Sequence, residues 1–150
     1  MKKFILVSTF AIVLLIVACK PKAERFVGNW AVTECTITNL DEIRKKQLMG
    51  TPDSLMEQAK AMLEDDIKKF LETSKKETFN FEKDSFEASH RGRKFSGIWK
   101  VSSDNKMLFL VPNDNAPTDA FDIESMGAKE MKISKAITPE SAAVYTLSKQ

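Results

Sequence analysis

From Phe79 onwards the apolar residues recur at every second position in short stretches broken by turn signals, and no other feature constrains the fold as tightly. Side chains on a strand alternate between two faces, so each stretch has one face to bury. Phe79 and Phe81 alternate with polar neighbours, Lys83-Asp84 turns, and Phe86 and Ala88 alternate again up to His90. Arg91-Gly92-Arg93-Lys94 reads as a solvated turn. Phe95, Gly97, Trp99 and Val101 share a face of the next strand, which ends at Ser103-Asp104-Asn105. Met107 to Val111 is apolar on both faces and is expected to be covered on both sides or protected at an edge. Pro112 to Thr118 is the longest loop of this half. Phe121 with Ile123, Met131 with Ile133, and Val144 with Leu147 mark three more strands, separated at Gly127 and Pro139.

The preceding segment opens with one strand, roughly 29 to 38, and then changes period. Asn39 is placed to cap a helix over 41 to 49 that Gly50 stops. Thr51-Pro52-Asp53 restarts it: Thr51 offers a capping oxygen, Pro52 suits the first helical position, and Asp53 suits the positive end of the dipole. Leu55, Ala59, Met62, Leu63, Ile67, Phe70 and Leu71 then recur at helical steps up to about Thr73. One strand before the helices and seven after them predict a mainly β fold. The expected form is an antiparallel up-and-down barrel of about eight strands, with a helical insertion (about 41–75) between the first and second, because closure removes exposed edges.

Residues 1 to 18 have the parts of a secretory signal: Lys2 and Lys3, an apolar run from Phe4 to Val17, and small Ala18 at the cut. The run is too short to span a bilayer, which takes roughly 20 apolar residues. Ile16-Val17-Ala18-Cys19 resembles a bacterial lipobox, and the resemblance implies a diacylglycerol thioether on Cys19 and an acylated new N-terminus, palmitate being the typical chain. Two or three chains hold far more firmly than one. Residues 19–25, with Pro21, are then a lipidated tether, and 26–150 a single domain.

Removal of Lys2 and Lys3 lowers the basic count from 23 to 21, equal to the acidic count of 21. A neutral chain argues against nucleic acid, which is bound through many unopposed cations. With Cys19 lipidated, Cys35 has no thiol to pair with and reads as a small core residue. One histidine, His90, with no cysteine pair leaves no basis for a metal cluster, so no metal and no cofactor is expected. No local signature of a hydrolase or phosphate loop is present, and the chain reads as non-enzymatic. Glu64-Asp65-Asp66 is a solvated charge run that Lys68 and Lys69 can pair with, and Asn113-Asp114-Asn115 lacks the rest of a calcium loop.

Phe26, Gly28 and Trp30, followed by a helical segment and a meander of strands, resemble the calycin group of lipocalins and fatty-acid-binding proteins, and most of all the lipocalin-like lipoproteins of Bacteroidota. The resemblance implies that Trp30 plugs the closed end of the barrel and that the helices lie over the mouth as a lid, through Leu55, Met62 and Phe70. It also exposes two departures. No arginine follows Arg93, so Lys149 would have to cover the tryptophan, and Ala143 stands where an Arg-x-Tyr clamp ending at Tyr145 would carry its charge. That puts fatty acid in doubt as a ligand.

Two functional readings remain open. Trp30, Phe79, Phe81, Phe86, Phe95, Trp99, Phe109 and Phe121 either line a cavity for a small apolar ligand or fill a solid core. In the first case the chain is a lipid-anchored binding or carrier protein. In the second it is a structural or interaction lipoprotein docking on another envelope protein. The expected location is the cell envelope, lipid-anchored at the outer membrane and facing the periplasm, since Lys20 to Glu24 lacks the acidic run of a surface-export signal.

Overall fold

The computed structural model describes residues 22–150; the signal, Cys19 and the start of the tether lie outside the described residues. Three helices and eight strands follow one another: α1 (Lys22–Phe26), β1 (Gly28–Ile37), α2 (Leu40–Leu48), α3 (Asp53–Ser74), β2 (Thr78–Phe81), β3 (Ser85–His90), β4 (Arg93–Val101), β5 (Met107–Pro112), β6 (Asp119–Met126), β7 (Glu130–Thr138) and β8 (Ser141–Lys149). The strands pair antiparallel in sequence order, and β8 returns to β1 (Cys35 opposite Tyr145, Ile37 opposite Ala143), closing the barrel. Among the described residues no helix is long and apolar enough to cross a membrane.

Alternation decides what faces inwards. In β3, Phe86, Ala88 and His90 are buried while Glu87 is exposed; in β8, Ala143, Tyr145 and Leu147 are fully buried. The turn between β3 and β4 is tighter than expected. His90 pairs directly with Arg93, so only Arg91 and Gly92 turn, both at positive φ (52° and 73°), as a two-residue hairpin of this twist requires. Gly97 is needed for packing: a Cβ there would stand 2.0 Å from the Val111 carbonyl oxygen. In β5, Leu108 and Leu110 point in, but Met107, Phe109 and Val111 point out and are half-exposed. The outer side of this strand is not fully covered, contrary to its two-faced apolar pattern.

The end where the chain enters is shut by aromatic packing. The Trp30 indole is buried, donates from Nε1 to the Phe26 carbonyl oxygen at 2.7 Å, and has the Lys149 ammonium 5.3 Å from its ring centre. Phe26 packs on Phe81 (5.9 Å) and Trp99 (5.6 Å), and Trp99 donates to the Glu82 carbonyl oxygen at 2.8 Å. Of the segment expected to be a tether, 19–25, the described part from Lys22 onwards is helical and leads Phe26 into the core.

At the other end β1 pairs with β2 over only four residues; Val32 N–H then donates to the Glu77 carbonyl oxygen at 3.0 Å, and beyond that pairing the chain runs on into the helical insertion. Both expected caps differ. Asn39 adopts a left-handed conformation and makes no side-chain cap; its amide reaches across to the Glu140 carbonyl oxygen at 2.5 Å. Pro52, not Thr51, is the N-cap of α3, and it makes no side-chain cap bond. Arg44 ties the two helices by donating to both Glu64 oxygens (2.7 and 2.9 Å), holding that carboxyl below its ordinary range, and Lys46 pairs with Glu140 on the β7–β8 turn. Lys69 pairs with Asp65 as the charge run suggested.

Candidate ligand site at the barrel mouth

A buried carboxylate, Glu77, sits just before β2, on the same parity as Phe79 and Phe81. Its Oε2 lies 2.5 Å from His90 Nδ1, and its Oε1 accepts the Arg91 backbone N–H at 3.0 Å. Both residues of this pair are about 97% or more buried, His90 at 3% and Glu77 at 2% exposure. Each side chain is the other's hydrogen-bond partner, as buried polar groups require.

The rings of Phe79, Phe121 and Tyr145 surround His90, with centres 6.0, 5.7 and 5.9 Å away. Tyr145 faces Cys35 across the β1–β8 pairing. Burial pushes the phenol of Tyr145 well above its ordinary value, the nearby Glu77 and Cys35 adding to the effect and Arg91 opposing it. Burial likewise raises the Cys35 thiol, against a hydrogen bond with Ser74, so this cysteine is held as a neutral thiol and not as a reactive thiolate. His90 Nε2 and Tyr145 Oη are buried without a hydrogen-bond partner, a condition that costs ~1–3 kcal/mol for each such group.

Two hollows open beside this cluster. The larger, about 670 Å³, lies between the helices and the rim; Ile37, Ile43, Ile67, Phe70 and Ile137 supply apolar walls, and Asp66, Ser74, Glu77, Arg91 and Lys135 the polar edge. The smaller, about 240 Å³, is lined by His90, Arg91, Arg93, Phe95, Pro112, Ala116, Pro117 and Asp119. Arg91 borders both. Lys135 pairs with Asp119 and stands 5.5 Å from the Phe121 ring centre, and Arg93 pairs with Asp114. A mostly apolar hollow with a few convergent polar groups is the usual form of a small-molecule site.

Eight strands joined in order and closed on the first, a tryptophan of β1 sealing the entry end, and a helical pair inserted at the far end together define the architecture. The chain folds as a closed, eight-stranded antiparallel up-and-down barrel.

No protein-family model matches the sequence, and no curated protein matches it. Three solved structures are similar to the barrel. They are an uncharacterized protein of Bacteroides eggerthii (14% identity, TM-score 0.44, covering 83% of this chain and 99% of that one), a lipocalin-like protein of Bacteroides uniformis (12%, 0.40, 81% and 96%), and a DUF4847 family protein of Bacteroides vulgatus (11%, 0.41, 83% and 95%).

Within the barrel most of the aromatic residues read as cavity lining do meet. Trp30, Phe79, Phe81, Phe86, Trp99 and Phe121 belong to one buried cluster with Phe95 packed against it. They are close enough to pack on each other: Phe79 stacks on Phe81 at 6.2 Å and meets Phe121 edge-on at 6.3 Å. Phe109 does not join them. It lies one position out of phase with Leu108 and Leu110, opposite Ala120 and Lys100 on the outer wall.

Of the lid residues, Phe70 packs against the barrel core, whereas Leu55 and Met62 are 51% and 62% exposed. The inward stripe of α3 runs through Met56, Ala59, Leu63, Ile67, Phe70 and Ser74, and Leu55 and Met62 fall beside it. Helical steps of three and four admitted both phases, and only the barrel's position chooses between them. The sequence pattern carries the strand up to His90 and gives Arg91 to Lys94 as a solvated turn, without singling out Glu77. Parity was the available signal, since Glu77, Phe79 and Phe81, like Phe86, Ala88 and His90, keep one face.

Proposed function

We propose that this is a non-enzymatic, lipid-anchored binding protein that holds a small apolar molecule at the mouth of the barrel. The observation that carries the reading is the contrast between a lower bore occupied by contacting aromatic rings and an apolar cleft of about 670 Å³ under the helices. Apolar burial there contributes ~25 cal/mol per Å². The anchor is Cys19 and the location the periplasmic face of the outer membrane. Because α1 begins only three residues after Cys19 and lies at the sealed end, the mouth would face away from the bilayer.

The test is native mass spectrometry of the full chain extracted from membranes in mild detergent. A co-purifying small apolar molecule is expected, and Ile67→Lys, which places an ammonium in the cleft wall, should lose it. An empty wild-type protein that takes up no apolar probe overturns the reading. Cys19→Ser should move the protein from the membrane to the soluble fraction, and retention in the membrane overturns the anchor.

The interaction-lipoprotein reading has its own observation. Met49, Leu55 and Met62 are exposed on the helical pair (81%, 51% and 62%), as is Ile98 (45%) beside Val111 on the wall. It is favoured if the cleft binds nothing and crosslinks from α3 reach an envelope protein.

A further inference from the structure

We propose that the outer wall formed by β4, β5 and β6 is a self-complementary interface, through which two copies of this chain pair about a twofold axis running along β5. The pattern on this wall does not depend on the ligand reading, and the Cys19 anchor proposed above adds orientation and concentration to it.

β5 turns Met107, Phe109 and Val111 outwards, half-exposed, and Ile98 of β4, 45% exposed, stands opposite Val111 in register. On the other side Ala120 of β6 lies opposite Phe109. These five residues make one apolar strip on the outside of the barrel. Outward positions elsewhere are mostly polar, as with Ser85, Glu87 and Ser89 on β3. The helical insertion packs at β1, on the far side of the eight-strand ring. Apolar residues gathered on one wall mark an interaction surface in a way that the same residues scattered singly do not.

The charges at the rim of the strip select the partner. Those that β4 turns outwards are both lysines, Lys94 and Lys100, and those exposed on β6 are both acids, Asp122 and Glu124. Lys100 stands opposite Phe109 in register and Asp122 opposite Met107, one on each side of β5. Among the described residues neither Lys100 nor Asp122 has an ion-pair partner, whereas Lys135, Arg93, Arg44 and Lys46 all do. A twofold axis in the contact plane along β5 exchanges the two sides of the strip. The lysine side of each copy then meets the acidic side of the other, and Phe109 meets its own counterpart at the axis. An axis across β5 would set lysine against lysine, at a cost in repulsion.

The same axis suits the anchor. β5 runs from the sealed end, where Val101 and Asn105 lie beside Phe26, to the mouth, where Pro112 shares a hollow with His90. An axis along it leaves both sealed ends on one side, so that both Cys19 residues can enter one bilayer, and an axis across it would send them to opposite sides. The strip is roughly 20 Å long, at ~3.3 Å for each of the six residues of β5, and three strands wide at ~4.8 Å spacing. That is less than the ~800 Å² per partner of a stable complex, so pairing is weak between free copies and is reinforced where anchored copies share a membrane.

Full-length protein in isolated membranes is the material for the test. Cys35 is buried, so a cysteine added to the outer wall can be followed against the unaltered chain as baseline. On mild oxidation Val111→Cys, beside the axis, should give a disulfide-linked dimer, and Thr36→Cys, exposed on β1 across the barrel, should not. In the Val111→Cys background Lys100→Glu or Asp122→Lys alone should cut the dimer yield by about three- to tenfold, since each dimer holds two such exposed pairs. The two changes together should restore it, a recovery that damage to the fold would not produce.

No dimer from Val111→Cys, as much dimer from Thr36→Cys, a yield that the single charge changes leave unaltered, or a double variant that does not recover would each overturn the proposal. So would linkage of Val111→Cys to a different membrane protein in place of its own copy. Fractionation of the same cells keeps the anchor separate: protein found in the soluble fraction overturns the anchor, and the charge-reversal series measured there still decides the pairing.

Discussion

Trp30→Ala tests whether one ring seals the entry end. The indole is 1% exposed, its Nε1 donates to the Phe26 carbonyl oxygen at 2.7 Å, and the Lys149 ammonium stands 5.3 Å from its centre. Truncating a large buried aromatic to alanine costs ~3–5 kcal/mol, from lost transfer energy and the cavity left behind. The hydrogen bond accounts for about 1 kcal/mol of this, and loss of a cation–π contact for ~0.5–1 kcal/mol. At roughly 3–5 °C per kcal/mol for a domain of this size, Tm should fall by about 10–20 °C.

Urea unfolding followed by circular dichroism reads the change as a shift in midpoint at constant slope. Trp30→Phe separates the contributions: it keeps most of the apolar area and leaves the Phe26 carbonyl without its donor, for a loss of ~1–3 kcal/mol. Lys149→Met, which keeps the stem and removes the charge, should lose no more than about 1 kcal/mol. A Trp30→Ala protein whose midpoint moves by less than the equivalent of about 1 kcal/mol would refute the reasoning, since the ring would then not be what closes the barrel.

Gly97→Ala should destabilise the barrel by ~1–3 kcal/mol or more, because the new methyl meets the Val111 carbonyl oxygen in the adjacent strand; thermal melts should show far less for Ile98→Ala on the outer face of the same strand. Tyr145, the single tyrosine, should resist ionisation well past the ordinary phenol value of about 10 when absorbance at 295 nm is followed against pH. Since its folded value is raised, the folded state holds the proton that the unfolded state releases, so Tyr145 contributes stability that is intact below about pH 10 and is lost as pH climbs above it. Tyr145→Phe should flatten that alkaline decline; an unchanged pH profile would contradict it. Glu64→Gln should loosen α2 from α3 and speed proteolysis around 49–52 while leaving the urea midpoint of the barrel in place; unaltered cleavage would count against the Arg44 tie.

Much of the site was written in strand parity without being read there. Phe86, Ala88 and His90 form one inward series, and so do Glu77, Phe79 and Phe81, yet the charge of the last turn suggested solvent. A polar residue on an inward position is stable only if a partner waits opposite, and Glu77 and His90, thirteen residues apart, are each other's partner. Neither position alone shows that the other will arrive. Phe109 misled in the opposite direction: a strand apolar on both faces does not say which phase points in, and pairing with β4 and β6 decides it.

The alternation and its turns determined by themselves that strands form, how many, in what order, and that the first tryptophan belongs with the core, because period, turn residues and short connections are local properties of the chain. Tertiary structure alone decided that aromatic rings fill the lower bore, that α3 turns Phe70 and not Leu55 or Met62 to the barrel, and that His90, Tyr145 and Glu77 share one buried end. Those outcomes depend on side chains brought together from strands and helices far apart in sequence, and no local pattern carries the distance across a closed barrel.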